Sequence, residues 1–262
     1  AELIIVGKVD PAAAEKLVRD YFDSWSYAGK EAATPIGYLP GFEQEANAGI
    51  YVFDKPLASQ TDINLACQLG TTDYATDLAS VQIIGDVLSE EVHRKLREEA
   101  GVTYGANAYA RLWRGGAGAL FMSSLVQNDA TGFSVTTMLN IINEAKSGSI
   151  KEQSIADHKL SRARKYVLNQ QAGSSMLRRL SSVGLSNLDF FDQYSSSLGS
   201  VQKAAFPALL DRCQGNEVLT VVGPIDNIKK ELDANGEKYG NWVKRLIEPS
   251  SFNDARLFAL ET

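Results

Sequence analysis

Between Leu78 and Leu112 the hydrophobic period changes from that of a helix to that of a strand. This switch limits the possible folds more than any other stretch. Leu78, Val81, Ile84, Leu88, Val92 and Leu96 recur at steps of three and four, one face of a helix. Asp73 can cap its start. Gly101 can take the left-handed conformation that ends it, and Arg94, Lys95 and Arg97 place cations where the helix dipole favours them. From Thr103 the period is two. Tyr104, Ala106, Ala108, Ala110 and Leu112 alternate with Thr103, Gly105, Asn107, Tyr109 and Arg111, which predicts a strand with two distinct faces. Arg97 and Tyr104 flank the helix-to-strand corner, where both can point at the same space.

The rest of the chain is read outward from this corner. Residues 2–6 predict a buried strand. Asp10 and Pro11 predict the cap and first residue of a helix that carries Ala14, Leu17, Val18 and Tyr21 on one face and stops near Trp25. Residues 27–48 are rich in Gly, Pro and Ala without a period and read as a linker. Strands are predicted at residues 50–53 and 60–70, the second with Ile63, Leu65 and Cys67 on one face. The long helix at about 74–100 and the strand from Thr103 follow, and Arg114-Gly115-Gly116 turns into a partner strand over 119–126. Val135, Met138, Leu139 and Ile142 define a helix closed by Gly148. Ser149-Ile150-Lys151-Glu152 reads as a capping box for the next, which runs through Ile155, Leu160, Ala163 and Val167 to a break at Gly173-Ser174-Ser175. Met176, Leu177, Leu180 and Val183 make a short helix, and another is predicted over about 201–213.

Leu219-Thr220-Val221-Val222-Gly223-Pro224-Ile225-Asp226 echoes Leu3-Ile4-Ile5-Val6-Gly7-Lys8-Val9-Asp10 at an offset of 216 residues. Both read as strand, glycine turn, Asp cap and helix. With the linker, the echo suggests the closing strand–helix of one domain (1–26), then a complete second domain (49–235) that closes the same way, then a tail (236–262).

The stretch Leu96-Arg97-Glu98-Glu99-Ala100-Gly101-Val102-Thr103-Tyr104, with its helix before and strand after, resembles the second half of pitrilysin/insulinase-type M16 zinc peptidases. This is the half described as inactive. The resemblance spans nearly the whole chain. It implies an α+β fold, a two-layer sandwich with a mostly antiparallel sheet covered by helices. It also implies a function. The zinc belongs to a partner half bearing H-x-x-E-H, on the same or a separate chain, and peptides are hydrolysed in an enclosed chamber between the halves. Arg97 and Tyr104 then carry the substrate-contacting and catalytic roles of this half. Arg97 holds a substrate carbonyl, and the Tyr104 hydroxyl meets the oxyanion. Such a half is expected to be inactive alone. The resemblance also admits a non-catalytic scaffold or core subunit of the same fold, or a dimer, and a periplasmic or exported bacterial setting is usual for relatives. Where relatives often carry two glycines, an aromatic and Ser ahead of Leu-Arg-Glu, this chain has Ile84-Gly85-Asp86-Val87-Leu88-Ser89, so the packing there is expected to differ.

The residues themselves exclude other chemistry. The two histidines, His93 and His158, lie 65 positions apart, and neither is followed by the Glu and His of H-x-x-E-H, so they read as solvated helix residues and no metal site is expected in this chain. Cys67 and Cys213 form no ligand pattern and read as two small buried side chains. Glu98 and Glu99 are sequence neighbours on different faces of a helix and read as a solvated or salt-bridged rim. Gly115-Gly116-Ala117-Gly118 lacks the Lys and helix of a phosphate loop. Arg162, Arg164, Lys165, Arg178 and Arg179 put positive charge on two neighbouring helices and read as a solvated face, with a lining for an acidic peptide or the partner half as the alternative. Ser174-Ser175 and Ser195-Ser196-Ser197 read as caps and loops without a triad. With 26 Lys and Arg against 32 Asp and Glu, the net charge is −6, and no basic run favours nucleic acid. No apolar stretch approaches the roughly 20 residues of a membrane span. Ala1-Glu2-Leu3-Ile4 is strand-like rather than a signal peptide, as expected if the chain starts within a longer protein.

Overall fold

The computed structural model describes residues 3–25, 48–71, 73–113, 116–183, 189–234 and 246–247. Its centre is a mixed sheet of six strands among these residues, in the order β3-β4-β2-β5-β1-β6. The strands are β1 (Gly49–Asp54), β2 (Gln60–Leu69), β3 (Thr103–Leu112), β4 (Gly118–Gln127), β5 (Val218–Gly223) and β6 (Leu246–Ile247). Neighbours from β3 through β5 pair antiparallel, but β1 pairs parallel with both β5 and β6. The sheet is therefore mixed, with three of its five pairings antiparallel, which agrees with the mostly antiparallel sheet expected. The reason is topological. β5 returns to the sheet only after a long helical excursion, and such crossovers can deliver parallel strands.

One face of the sheet carries the helices. Along β2, Thr61, Ile63, Leu65, Cys67 and Leu69 are buried while the alternate residues are not. Helix α2 (Tyr74–His93) begins at Asp73, whose carboxylate accepts from the Ala75 and Thr76 amides. The predicted stripe is buried, but so are Ala79, Ile83, Gly85 and Val87. The helix lies between β3 on one side and α4 (Glu152–Asn169) and α6 (Asp189–Ser200) on the other, so it needs apolar residues on more than one face. Helix α3 (Thr131–Lys146) packs against α8 (Ile225–Ala234) and α2. Gly148 follows α3 with φ +77°, as its place after the helix predicts.

Gly85 sets how close α2 comes to the sheet. A Cβ there would lie 2.6 Å from the Ala110 amide nitrogen, so only glycine lets the helix seat against β3. One turn on, the Ser89 hydroxyl accepts from the Ala108 amide of β3 at 3.1 Å. β3 is the last strand of the sheet, and α2 covers part of its backbone edge. The glycine-poor version of this segment thus still packs closely: Gly85 lies mid-helix, and Asp86 turns outward to Arg162.

Several local expectations are corrected. Residues 3–6 join no strand, and Leu3 and Ile5 are 56% and 48% exposed. α1 (Pro11–Phe22) has the predicted Asp10 cap and first-turn proline but buries none of its residues. The capping box at Ser149 does not form. α4 starts after Lys151 without a side-chain cap, and the Ser149 hydroxyl meets that of Ser147. Gly173 opens α5 (Gly173–Val183) rather than only ending α4, and Ser195-Ser196-Ser197 lie inside α6, where the Ser196 and Ser197 hydroxyls donate to the Gln193 carbonyl. The helix expected over 201–213 shortens to a 3-10 turn and α7 (Phe206–Leu209). Asp226 lies in the first turn of α8 rather than at its cap, and the Ile225 amide donates instead to Asp54. Residues 27–47 of the expected linker, Arg114-Gly115 of the turn and all of the tail except Leu246–Ile247 lie outside the described residues.

The cysteines are buried as predicted, but they are also joined. Cys67 on β2 and Cys213 beyond α7 form a disulfide across 146 residues. The alternation that turns Cys67 inward brings it against the end of the helical excursion. The Gly70 amide donates to the Leu209 carbonyl at the same junction. No helix among the described residues is long and apolar enough to cross a membrane.

Candidate functional site

The corner between α2 and β3 is built by two departures from regular structure. The first follows α2 directly: Arg94–Glu99 winds as a π-helix. The Ala100 amide donates to the Lys95 carbonyl five residues back, and the Val102 amide to Leu96 six back, around Gly101 at φ +66°. The wider turn keeps Leu96 fully buried and leaves Arg97 exposed toward β3.

The second departure is a bulge at the start of β3. Thr103 stands opposite Val126, yet Ala106 stands opposite Ser124, so three steps on β3 match two on β4. Strict alternation puts Tyr104 on the inward face with Ala106 and Ala108. The extra residue rotates it outward, and Tyr104 is 86% exposed. Two buried hydroxyls hold the bulge. Thr103 Oγ1 accepts from the Gly105 amide at 3.1 Å and lies within hydrogen-bonding distance of the Leu125 carbonyl. Ser124 Oγ lies 3.1 Å from both Thr103 Oγ1 and the Gly105 carbonyl.

Arg97 and Tyr104 do meet. The Arg97 guanidinium donates to the Thr103 carbonyl at 3.1 Å and stands 5.5 Å from the centre of the Tyr104 ring. Its neighbours are committed elsewhere: Arg94 to Glu91 and Glu99, Lys95 to Glu144. Arg97 makes no ion pair among the described residues, so its remaining donors face solvent. A phenol and a guanidinium side by side can donate to two oxygens of an extended peptide.

Beside Tyr104, on the sheet face opposite the helices, lies an open groove of about 380 Å³. Asp62 and Asn64 of β2, Asn107 of β3 and Ser123 of β4 line it, with Leu125 and Tyr104 at its rim. The residue types alone did not single out this groove, or the Thr103–Ser124 pair. The available signal was Gly105, a glycine inside a strand pattern, which marks a bulge.

The other candidates separate. His158 is an interhelix partner rather than a solvated residue: its Nε2 is 2.9 Å from Glu90, which also accepts from the Ser154 hydroxyl. The Ser154 hydrogen bond first, and His158 second, hold the Glu90 carboxyl below its usual value, against the opposing effect of burial. His93 lies 3.9 Å from Glu98. No group of three His, Cys, Asp or Glu side chains placed to hold a metal occurs among the described residues. Arg162, from the expected basic face, forms a two-pronged pair with Asp86 across α2 and α4 at 2.5 and 2.8 Å. Glu99 is part of the salt-bridged rim through Arg94.

Residues 1–161 match the profile of the family described as peptidase M16 inactive domain. Among solved structures, the chain resembles a protease from Helicobacter pylori (TM-score 0.68, 13% identity, covering 84% of this chain and 54% of that one). It also resembles the periplasmic protease PqqL from Escherichia coli (0.64, 13%, 83% and 24%). A third likeness is to a peptidase M16 inactive domain from Pseudomonas fluorescens (0.53, 19%, 68% and 44%). At these identities the likeness is one of fold, and the chain spans between a quarter and about half of each structure's length. No curated protein matches the chain.

Proposed function

Because the chain belongs to the peptidase M16 inactive-domain family, we propose that it is the non-zinc, substrate-binding half of a zinc metallopeptidase. In this reading it faces a partner half that carries the H-x-x-E-H helix and the zinc, and peptide is held between them. The zinc supplies Lewis-acid chemistry from that half, and none of it passes through residues of this chain. Arg97 fixes the peptide by a carbonyl oxygen. Tyr104 donates its hydroxyl where negative charge develops on the carbonyl under attack. Donors fixed in advance strengthen most in the transition state, when the charge is greatest.

The observation that carries the reading is the bulge. It takes a large aromatic residue that alternation would bury and turns it into solvent beside an arginine that has no ion pair among the described residues. Exposing that ring forgoes roughly 1.5–3 kcal/mol of burial, which fold stability alone does not favour. The buried disulfide supports a periplasmic or exported setting, since such bonds persist in oxidising compartments.

The test is kinetic. In the complete two-half enzyme, Tyr104→Phe lowers kcat by about a hundredfold, the effect of losing one oxyanion donor. Arg97→Ala raises KM and lowers kcat/KM. If neither substitution changes peptide hydrolysis, the assignment of both residues is wrong.

A further inference from the structure

We propose that the groove beside Tyr104 is a side-chain subsite that selects a basic residue of the bound peptide, with Asp62 as its specificity determinant. This rests on the proposal that the corner binds peptide, and adds to it which peptide side chain is accepted.

Asp62 is placed by strand alternation: Thr61 and Ile63 turn into the core, so Asp62 turns to the open face. One of its oxygens, Oδ1, accepts from Asn64 Nδ2 at 3.0 Å, which fixes the carboxylate. The carboxylate has no cation partner among the described residues, and no other charged side chain lines the groove. Directly opposite Asp62 on β4 stands Leu125, which is 52% exposed. One row along, Asn107, Ser123 and Asn64 stand side by side across β3, β4 and β2. Ser123 donates to Asn107 Oδ1 at 2.7 Å, so this row is itself ordered.

These features suit a long side chain with an apolar stem and a cationic head. The methylenes of lysine or arginine can lie along Leu125 and the Tyr104 ring while the head reaches the open Asp62 oxygen. An acidic side chain meets Asp62 as a like charge. An apolar side chain of the same length gains the stem contact but leaves the carboxylate and amides unmatched. Because Tyr104 is at the rim, a peptide held at the corner places one of its side chains over the groove.

The test is binding of fluorescent peptides to the intact 262-residue chain, in sets that differ at one scanned position as Lys, Arg, norleucine or Glu. At the position that lies over the groove, Lys and Arg are expected to bind about tenfold tighter than norleucine, the scale of one charge-assisted hydrogen bond, and Glu weaker than either. Asp62→Asn removes the preference for Lys and Arg over norleucine, and Asp62→Lys reverses it toward Glu. Equal affinity for Lys and norleucine at every position, or a Lys preference that persists in Asp62→Asn, overturns the subsite. The two proposals fail separately. If Asp62→Asn removes the preference but Tyr104→Phe leaves hydrolysis by the complete enzyme unchanged, the subsite stands and the catalytic role of Tyr104 falls. If Tyr104→Phe lowers hydrolysis of all peptides while Asp62→Asn leaves their ratios alone, the reverse holds.

Discussion

Reducing the Cys67–Cys213 bond is a direct probe of how the sheet is held to its helices. The bond closes a loop across 146 residues, from near the end of β2 to the turn beyond α7. Treated as a constraint on the unfolded chain, a loop of that length gives about 5 kcal/mol at 25 °C. For a chain of this size each kcal/mol moves the melting temperature by about 2–4 °C, so reduction should lower Tm by about 10–20 °C. Both cysteines are nearly inaccessible, 5% and 0% exposed, so the bond must be reduced in denaturant and the chain refolded with reductant present. The assay compares urea and thermal unfolding of the oxidised and reduced chains, with thiols counted in each. Reduction leaves both sulfur atoms in the core and creates no cavity, so the difference reports the cross-link. Two free thiols in the chain purified without reductant would refute the bond. An unchanged Tm with both thiols reduced would refute its role as a constraint.

Gly85→Ala places a methyl group 2.6 Å from the Ala110 amide nitrogen and must push α2 off β3. It should cost about 1–3 kcal/mol by overpacking. Gly199→Ala in α6, where nothing lies within 4 Å, should instead stabilise by about 0.5–1 kcal/mol, and thermal unfolding of the two variants checks the contrast. The Glu90 carboxyl is held below its usual value of 4.5, by Ser154 above all. Its contribution is therefore present above the unfolded carboxylate value and lost as pH falls through the lower folded one. Wild-type Tm should fall more steeply with acid over that range than the Tm of Glu90→Gln, and equal slopes would contradict the linkage.

The sequence carried the parts of this fold that follow from period and caps. The Asp73 cap and the turn at Gly101 rest on interactions within a few residues, and the burial of Leu78 through Leu96 follows one helical stripe. What it did not carry depends on long-range packing. The burial of Ile83 and Val87 needs a second layer of helices outside α2, which no local pattern announces. The parallel pairing of β1 with β5 and the pairing of Cys67 with Cys213 both depend on where a long excursion returns to the sheet. Residues 3–6 have the composition of a strand but pair with none of the described strands, so propensity misled there. At the site, proximity of Arg97 and Tyr104 was legible, because a helix-to-strand corner brings such residues together. The means were not. Plain alternation puts Tyr104 in the core, and only the bulge, held by Thr103 and Ser124, turns it out.

The central claim is that this chain supplies one side of a peptide site and needs a zinc-bearing half to act. The most direct measurement is peptide cleavage together with metal content, on the chain alone and after adding a partner half that carries H-x-x-E-H. The account predicts no stoichiometric zinc and no cleavage by the chain alone. The mixture should cleave peptide, with activity lost in Tyr104→Phe. Stoichiometric zinc with cleavage by the isolated chain would contradict it and return attention to His93 and His158. A stable complex that never cleaves would instead make the chain a scaffold of the same fold.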